Sequence, residues 1–304
     1  MSISIDELKH ILETKSSDLS AEFKRIFHGR GGLYDQWRHL TIDSIDNILS
    51  IYLYFENDNE SLFLEMIKEF IKNSRHNTVV VQRRYKSSYP SEVIVGELED
   101  DIYILENGVK IYLNLLTNKN NGYFPDMKNG RAFVKENAKD KKVLNLFSYT
   151  CAFSLFASLG EAKSVINIDM SKSALSTGRK NHHLNNIDTK NISFLPHNIL
   201  KSFGRIKRDG PYGLIIIDPP TFQKGSFEAT KDYSKIIKKL YSIATPNCIV
   251  LACLNSPDLN SEFIIDLFSE FAPEFEFVKQ LDNLEEFKAL DEQRSLKNLV
   301  FRVK

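Results

Sequence analysis

The stretch VLNLFSYTCAFSLFASLG, residues 143–160, decides the fold. Its apolar head reads as a buried strand, SYTC as a tight turn and the remainder as the first turns of a helix. The same rhythm continues outward. KVLNLF (142–147) is a strand, 150–159 a helix, SVINIDM (164–170) a strand, SKSALSTGRKNHHLNN (171–186) a helix, ISFLPH (192–197) a strand and GLIIIDPP (213–220) a buried strand. A helix around 230–244, the strand NCIVLACLNS (247–256), a helix around 260–271 and strands near 275–280 and 298–303 follow. Strands alternating with helices require right-handed crossovers and a parallel sheet, and ligands on such sheets sit beyond the carboxyl ends of the strands.

The chain upstream reads differently. Residues 1–26 carry Ile5, Leu8, Ile11, Leu12, Leu19 and Phe23 at helical spacing, which predicts one or two amphipathic helices, and the glycine-rich loop HGRGGLYDQW (28–37) follows. NILSIYLYF (47–55) alternates like a strand, and ESLFLEMIKEFIKN (60–73) is a helix with Glu60 and Glu65 early and Lys68 and Lys72 late, as the helix dipole favours. TVVVQRRY (78–85), EVIVGEL (92–98), IYILENG (102–108) and VKIYLNLL (109–116) are short strands between turns. We therefore divide the chain into a helical lead with its glycine-rich loop (1–39), a small, mostly antiparallel α+β domain (40–120) and an α/β domain (121–304).

A length of 304 residues suits two domains. Forty Lys and Arg balance forty Asp and Glu, which argues against a globally basic nucleic-acid binder. The balance hides a polarity: residues 128–208 hold fifteen Lys and Arg against five carboxylates, whereas the first hundred residues are acidic. The opening MSISIDELKHILETKSSDLSAEFKRIF lacks the apolar run of a signal peptide, and no stretch is long and apolar enough to span a bilayer. Cys151, Cys248 and Cys253 are odd in number and show no CxxC spacing, so neither a disulfide framework nor a zinc site is expected, and a reducing cytoplasm fits.

The strand ends carry the chemistry. After the first α/β strand the turn is Ser148, Tyr149, Thr150, Cys151, with no glycine before Gly160. A pyrophosphate needs close approach of bare backbone, hence glycines, which makes a nicotinamide dinucleotide a poor fit. S-adenosylmethionine has no phosphate, and hydroxyls, amides and a carboxylate can hold its amino-acid end. An ordinary strand-to-helix connection is the plainer alternative. Asp169 closes the next strand, where a carboxylate accepts both hydroxyls of a ribose; its alternative is to cap the helix opening at Ser171. Asn198, after the third strand, is placed for an adenine edge or for a cap. The most specific signal is Asp218-Pro219-Pro220-Thr221-Phe222 after the apolar run 213–217. Two prolines stop the strand and leave carbonyls without sheet partners. Those carbonyls and the Asp218 carboxylate can accept hydrogens from a planar amine while Phe222 stacks on a base.

These residues resemble the class I S-adenosylmethionine-dependent methyltransferases, and more narrowly the bacterial family that modifies bases of large-subunit ribosomal RNA. NLFSYTCAF, VINIDMSKSAL and IIIDPPTF are similar to the family's FSYTG-type turn, second-strand aspartate and DPPxF signature. GYFPDMKNGR (122–131) resembles the segment that precedes its first strand, and residues 40–117 resemble its middle domain. The likeness covers roughly 40–304 and implies a Rossmann-like sheet with a smaller amino-terminal α+β domain. By position it implies that Phe147, Ser148, Tyr149 and Thr150 border the methionine end of the cofactor. Asp169 with Met170 and Ser171 meets the ribose, Asn198 the adenine, and Phe124, Asp126, Arg131 and Asn145 complete the pocket. Arg131 suits the cofactor carboxylate, though Asp126 and Arg131 can also simply pair. Asp218, Pro219, Pro220 and Phe222 would hold the acceptor base, Asp218 touching the cofactor as well.

Two departures stand out. Cys151 replaces the family's glycine, so the backbone there is expected to do without the left-handed region, or to turn slightly differently. Relatives that methylate carbon 5 of cytosine use a cysteine near the end of strand 249–256; that position falls on Asn255, with Cys253 two residues earlier on the same face. His28 and Arg30 of the glycine-rich loop, and Arg83, Arg84 and Lys86, offer phosphate contacts if they are more than solvated charge. The resemblance thus implies a cytoplasmic methyltransferase that takes a base of RNA, ribosomal above all, at a nitrogen, with no membrane partner and with monomer and homodimer both open. The alternatives at this point are a cytosine-C5 enzyme using Cys253, a small-molecule or protein methyltransferase, and a catalytically silent RNA-binding module.

Overall fold

A computed structural model describes residues 2–17, 21–117, 119–223 and 225–304. The chain forms two compact units: residues up to Pro125 with Leu284–Glu292, and Asp126–Asn283 with Gln293–Lys304.

In the first unit, helix α1 (Ile5–Ser16) opens on a reciprocal cap between Ser4 and Glu7. Among the described residues of 1–26 no second helix follows. Residues 24–28 form strand β1 (Lys24–His28), and Leu19, read above as helical, lies outside the described residues. Strands β2 (Leu40–Ile45), β3 (Ile48–Leu53), β4 (Thr78–Arg83) and β5 (Ser91–Val95) complete a sheet in the order β1-β2-β3-β4-β5, antiparallel except for β3 and β4, which helix α2 (Glu60–Ile71) joins. Leu8 and Leu12 of α1 and Phe63, Ile67 and Phe70 of α2 bury against Leu40, Ile42, Leu49, Ile51, Val79 and Val81. β6 (Tyr103–Glu106) and β7 (Val109–Tyr112) form a separate hairpin, tied in by the Phe23 N–H donating to the Leu105 carbonyl at 3.0 Å.

The second unit begins with α3 (Lys128–Asn137) and β8 (Lys142–Leu146), then α4 (Ala152–Leu159), β9 (Ser164–Asp169), α5 (Lys172–Leu184), β10 (Ile192–Pro196), α6 (Phe203–Asp209) and β11 (Tyr212–Ile217). A two-residue hairpin, β12 (Phe222–Gln223) and β13 (Phe227–Glu228), leads into α7 (Ala229–Leu240), β14 (Ala244–Leu254), α8 (Ser261–Phe271), β15 (Phe275–Leu281) and β16 (Lys297–Val303). The seven-stranded sheet has the order β10-β9-β8-β11-β14-β16-β15, with β16 alone antiparallel to its neighbours. Order reverses at β8, the topological switch point where such sheets bind ligands. Val143, Leu214, Ile216 and Leu251 pack beneath α3 and α4; Ile215, Ile217, Val250 and Ala252 pack beneath α7 and α8. Leu214 to Ile217 are each fully buried, on both faces, which explains why the run does not alternate and contributes roughly 1.5–3 kcal/mol per side chain. No helix among the described residues is long and apolar enough to cross a membrane.

Candidate active site

The turn after β8 is strained throughout. Phe147, Tyr149 and Cys151 have φ of 58°, 46° and 62°, so every second residue adopts the left-handed region at a cost on the order of 1 kcal/mol each. The expectation that Cys151 avoids that region is corrected: it adopts it without being glycine. Hydrogen bonds hold the crook. The Ser148 N–H donates to the Ile168 carbonyl at 3.1 Å, that of Cys151 to the Ser148 carbonyl at 2.7 Å, and that of Tyr149 to Asp169 Oδ2 at 2.9 Å. The Cys151 side chain packs with Leu175 and Phe194, and burial pushes its thiol up to about 12, leaving it unreactive. Ser148 Oγ is buried and finds no hydrogen-bond partner among the described residues. Such an orphan hydroxyl is costly unless a ligand completes it.

Asp169 tethers both neighbouring turns, while the helix cap is Ser171. Oδ1 accepts the Ser171 N–H at 2.8 Å, Oδ2 accepts Tyr149, and each oxygen keeps a lone pair for a hydroxyl. Ser171 in turn caps α5 through the Ala174 N–H. A crevice runs past Phe147, Asp169, Met170, Asn198, Ile199 and Leu200 and is closed by Gln223 and Ser226 of the β12–β13 hairpin. Met170 is exposed, and Asn198 Nδ2 lies 3.6 Å from its sulfur while Asn198 Oδ1 caps the Lys201 N–H. Asn145 sits beneath the turn, 1% exposed, its amide donating to Asn167 Oδ1 at 2.9 Å. Phe124 belongs to the first unit and is partly exposed.

The residues read above as an acceptor site follow β11 directly. Ile217 is level with Ala252, so Asp218 follows beside Cys253, which pairs with Asn298. Burial and the Asp126 carboxylate push the Asp218 carboxyl up to about 7, with Arg131 pulling the other way. Asp126 and Arg131 therefore both face Asp218, and Arg131 is almost wholly buried. No hydrogen bond reaches the carbonyls of Pro219 and Pro220 among the described residues. Phe222 is 65% exposed, an uncovered aromatic face. Two features went unread in the sequence. The Tyr233 hydroxyl, fully buried, lies 3.0 Å from the Cys253 carbonyl and 3.3 Å from that of Ile217 and so ties the ends of β14 and β11. The hairpin is anchored by Phe227, edge-on to Phe147 at 4.9 Å, and turns at Gly225 with φ of 77°; the glycine was its one legible signal.

Other candidates divide. Cys253 is fully buried, and burial together with the Asp218 and Asp126 carboxylates pushes its thiol well above the usual range. The Asn255 carbonyl accepts the Thr221 hydroxyl. In the first unit His28 is held neutral, its pKa pushed down to about 3 by burial and by Arg25, Arg30 and Lys15, and Arg83 is paired with Glu60 at 2.6 Å and Glu92 at 2.9 Å. Neither offers charge to a phosphate. Arg30 stacks 4.2 Å over Tyr54, Arg84 lies 4.6 Å over Tyr52 and 5.2 Å over Tyr54, and among the described residues neither has a carboxylate at ion-pair distance; Lys86 is exposed.

A crevice closed by an aspartate and free of phosphate-binding glycines, at the switch point of a mostly parallel sheet, is a site of the kind a nucleoside cofactor fits. The family model for S-adenosylmethionine-dependent methyltransferase matches residues 24–302, and the chain belongs to that family. The chain is 30% identical over 222 residues to ribosomal RNA large subunit methyltransferase I of Aeromonas salmonicida, a match covering 70% of this chain and 56% of the relative. It thus spans about half the length of that relative. A solved structure described as a methyltransferase complexed with S-adenosylhomocysteine superposes with a TM-score of 0.84 at 22% identity, over all of this chain and 83% of the other. The tRNA m1G37 methyltransferase of M. jannaschii gives 0.63 at 19% identity over 86% and 72%. Both likenesses show the fold.

Proposed function

We propose that this chain methylates a nitrogen of an RNA base, ribosomal RNA being the leading substrate, with S-adenosylmethionine as donor. The observation that carries the reading is Asp218: a carboxyl poised near neutrality, followed by two unpartnered proline carbonyls and an open aromatic ring. When bound, S-adenosylmethionine supplies an electrophilic methyl group. Asp169 takes the ribose, the Ser148 hydroxyl and Arg131 suit the amino-acid end, and Asn198 and Ile199 border the adenine. Asp218, ionised above about pH 7, accepts the proton that an amine or ring N–H gives up, while the Pro219 and Pro220 carbonyls orient the amine and Phe222 stacks on the base. Most of the acceleration comes from positioning.

Nitrogen is favoured over carbon 5 because Cys253 is a neutral, enclosed thiol, whereas addition to carbon 6 demands a thiolate. RNA is favoured by the relatives' named substrates and by the Arg30, Tyr54, Arg84 stack in the first unit, a pairing of unneutralised charge with aromatic surface that suits phosphates and bases. We accordingly assign the first unit to RNA contact and the second to transfer, in the cytoplasm where ribosomal RNA is matured. Nucleoside mass spectrometry of ribosomal RNA from cells with and without the protein tests this. An N-methylated nucleoside should vanish on deletion and return with Cys253→Ser; loss of activity in Cys253→Ser, with a missing 5-methylcytidine, would overturn the nitrogen assignment.

A further inference from the structure

The strained turn is met from below by one face of α5. A Cβ added to Gly178 would lie 2.5 Å from Cys151 Sγ and 2.9 Å from Cys151 Cβ, closer than atoms can pack. Asn181, fully buried, donates its amide to the Thr150 carbonyl at 3.0 Å. His182, also fully buried, places Nδ1 2.7 Å from the Gly178 carbonyl. That carbonyl only accepts, so Nδ1 carries the proton and Nε2 accepts the Ser154 hydroxyl at 3.0 Å. Ser154 in turn accepts from Asn167 at 3.0 Å, and Asn167 from Asn145. Every donor in the chain points the same way, from β8 just before the turn to α5 just behind it. Residues 178, 181 and 182 are spaced i, i+3, i+4 and so share one helix face.

We propose that Gly178, Asn181 and His182 are positioning residues for the cofactor turn: they hold Thr150 and Cys151 in the left-handed crook that presents Ser148, and the bare backbone at Gly178 is what licenses a side chain at position 151. The inference rests on reading the turn as the cofactor site. It makes positions 151 and 178 a coupled pair, in which bulk at one requires its absence at the other. Packing alone would couple them in stability; positioning couples them in ligand affinity.

The test is a double-mutant cycle read by calorimetric titration with S-adenosylhomocysteine and by thermal melting. Gly178→Ala should weaken binding tenfold or more while melting close to wild type, because alanine's better helix propensity offsets the clash. Cys151→Gly combined with Gly178→Ala should bind as Cys151→Gly alone does, within about threefold, and so regain the affinity that Gly178→Ala loses. Asn181→Ala, which removes the bond to Thr150, should weaken binding about fivefold and serves if Gly178→Ala fails to fold. Wild-type affinity in Gly178→Ala or in Asn181→Ala, or a double variant that folds normally yet binds no better than Gly178→Ala, would overturn the proposal. Should the wild-type protein itself not bind, the cofactor reading falls, and hydrogen exchange at the Ser148 to Cys151 amides still decides the clamp: faster in Gly178→Ala and restored in the double variant if α5 holds the turn, unchanged if it does not.

Discussion

Replacing Asp218 by Asn should stabilise the protein while it destroys transfer, and the sign follows from the carboxyl's surroundings. In the folded chain its pKa stands at about 7 instead of the ordinary 3.8. A carboxyl raised in this way binds its proton more tightly folded than unfolded. It therefore carries no penalty below pH 3.8, accumulates one as the pH climbs to 7, and retains the full penalty above. Roughly three units at about 1.4 kcal/mol each give an upper bound of about 4 kcal/mol, and the residue's intermediate exposure lowers the expectation to about 2–3 kcal/mol. Asn keeps the shape and cannot ionise. At about 2–4 °C per kcal/mol for a unit of this size, the variant should melt several degrees above wild type at pH 8, and the gap should close toward pH 4.5. Circular-dichroism melts at the two pH values measure this directly. A variant that melts below wild type at pH 8, or a gap that is the same at both pH values, would refute the claim that Asp218 is a destabilised, poised acid.

Other consequences are sharper in kinetics. The acid limb of kcat/KM should rise through about pH 7, and Asp126→Asn, which removes a charge that raises the Asp218 carboxyl, should move that limb toward lower pH; an unmoved limb would assign it to another group. Tyr233→Phe leaves the Ile217 and Cys253 carbonyls untied at a cost of about 1–2 kcal/mol in stability and should lower kcat at unchanged affinity for S-adenosylhomocysteine, as titration and steady-state assays would show. Asp169→Ala should do the reverse, weakening S-adenosylhomocysteine at least tenfold because both the ribose acceptor and the Tyr149 and Ser171 tethers are lost.

The second unit was largely legible because its elements are long, apolar and punctuated: β8, β9, β11 and their helices stand where the pattern puts them, and Asp169 and the Asp218-Pro219-Pro220 run end strands as expected. Direction was not legible, since a strand such as β16 reads alike parallel or antiparallel. β1 was missed because a register shift between Arg25 and Phe27 sets apolar Ile26 and Phe27 side by side and breaks its alternation, and β2 because LTIDSI carries only three apolar residues. The grouping of Leu284–Glu292 with the first unit, including Phe287 against His28, is a long-range contact that no local pattern carries. At the site, residue types were readable and their states were not. Cys151 in the left-handed region depends on Gly178, 27 positions away, and the poised carboxyl of Asp218 depends on Asp126, contributed by a segment that precedes the sheet.

The most direct measurement is to incubate purified protein with ribosomal RNA and S-adenosylmethionine carrying a deuterated methyl group, then digest the RNA to nucleosides and weigh them. The account predicts the heavy methyl on a nitrogen of one base with the wild-type chain and on none with Asp218→Asn. RNA that stays unlabelled under the wild-type protein, or a label on carbon 5 of cytosine that survives Asp218→Asn, would contradict it.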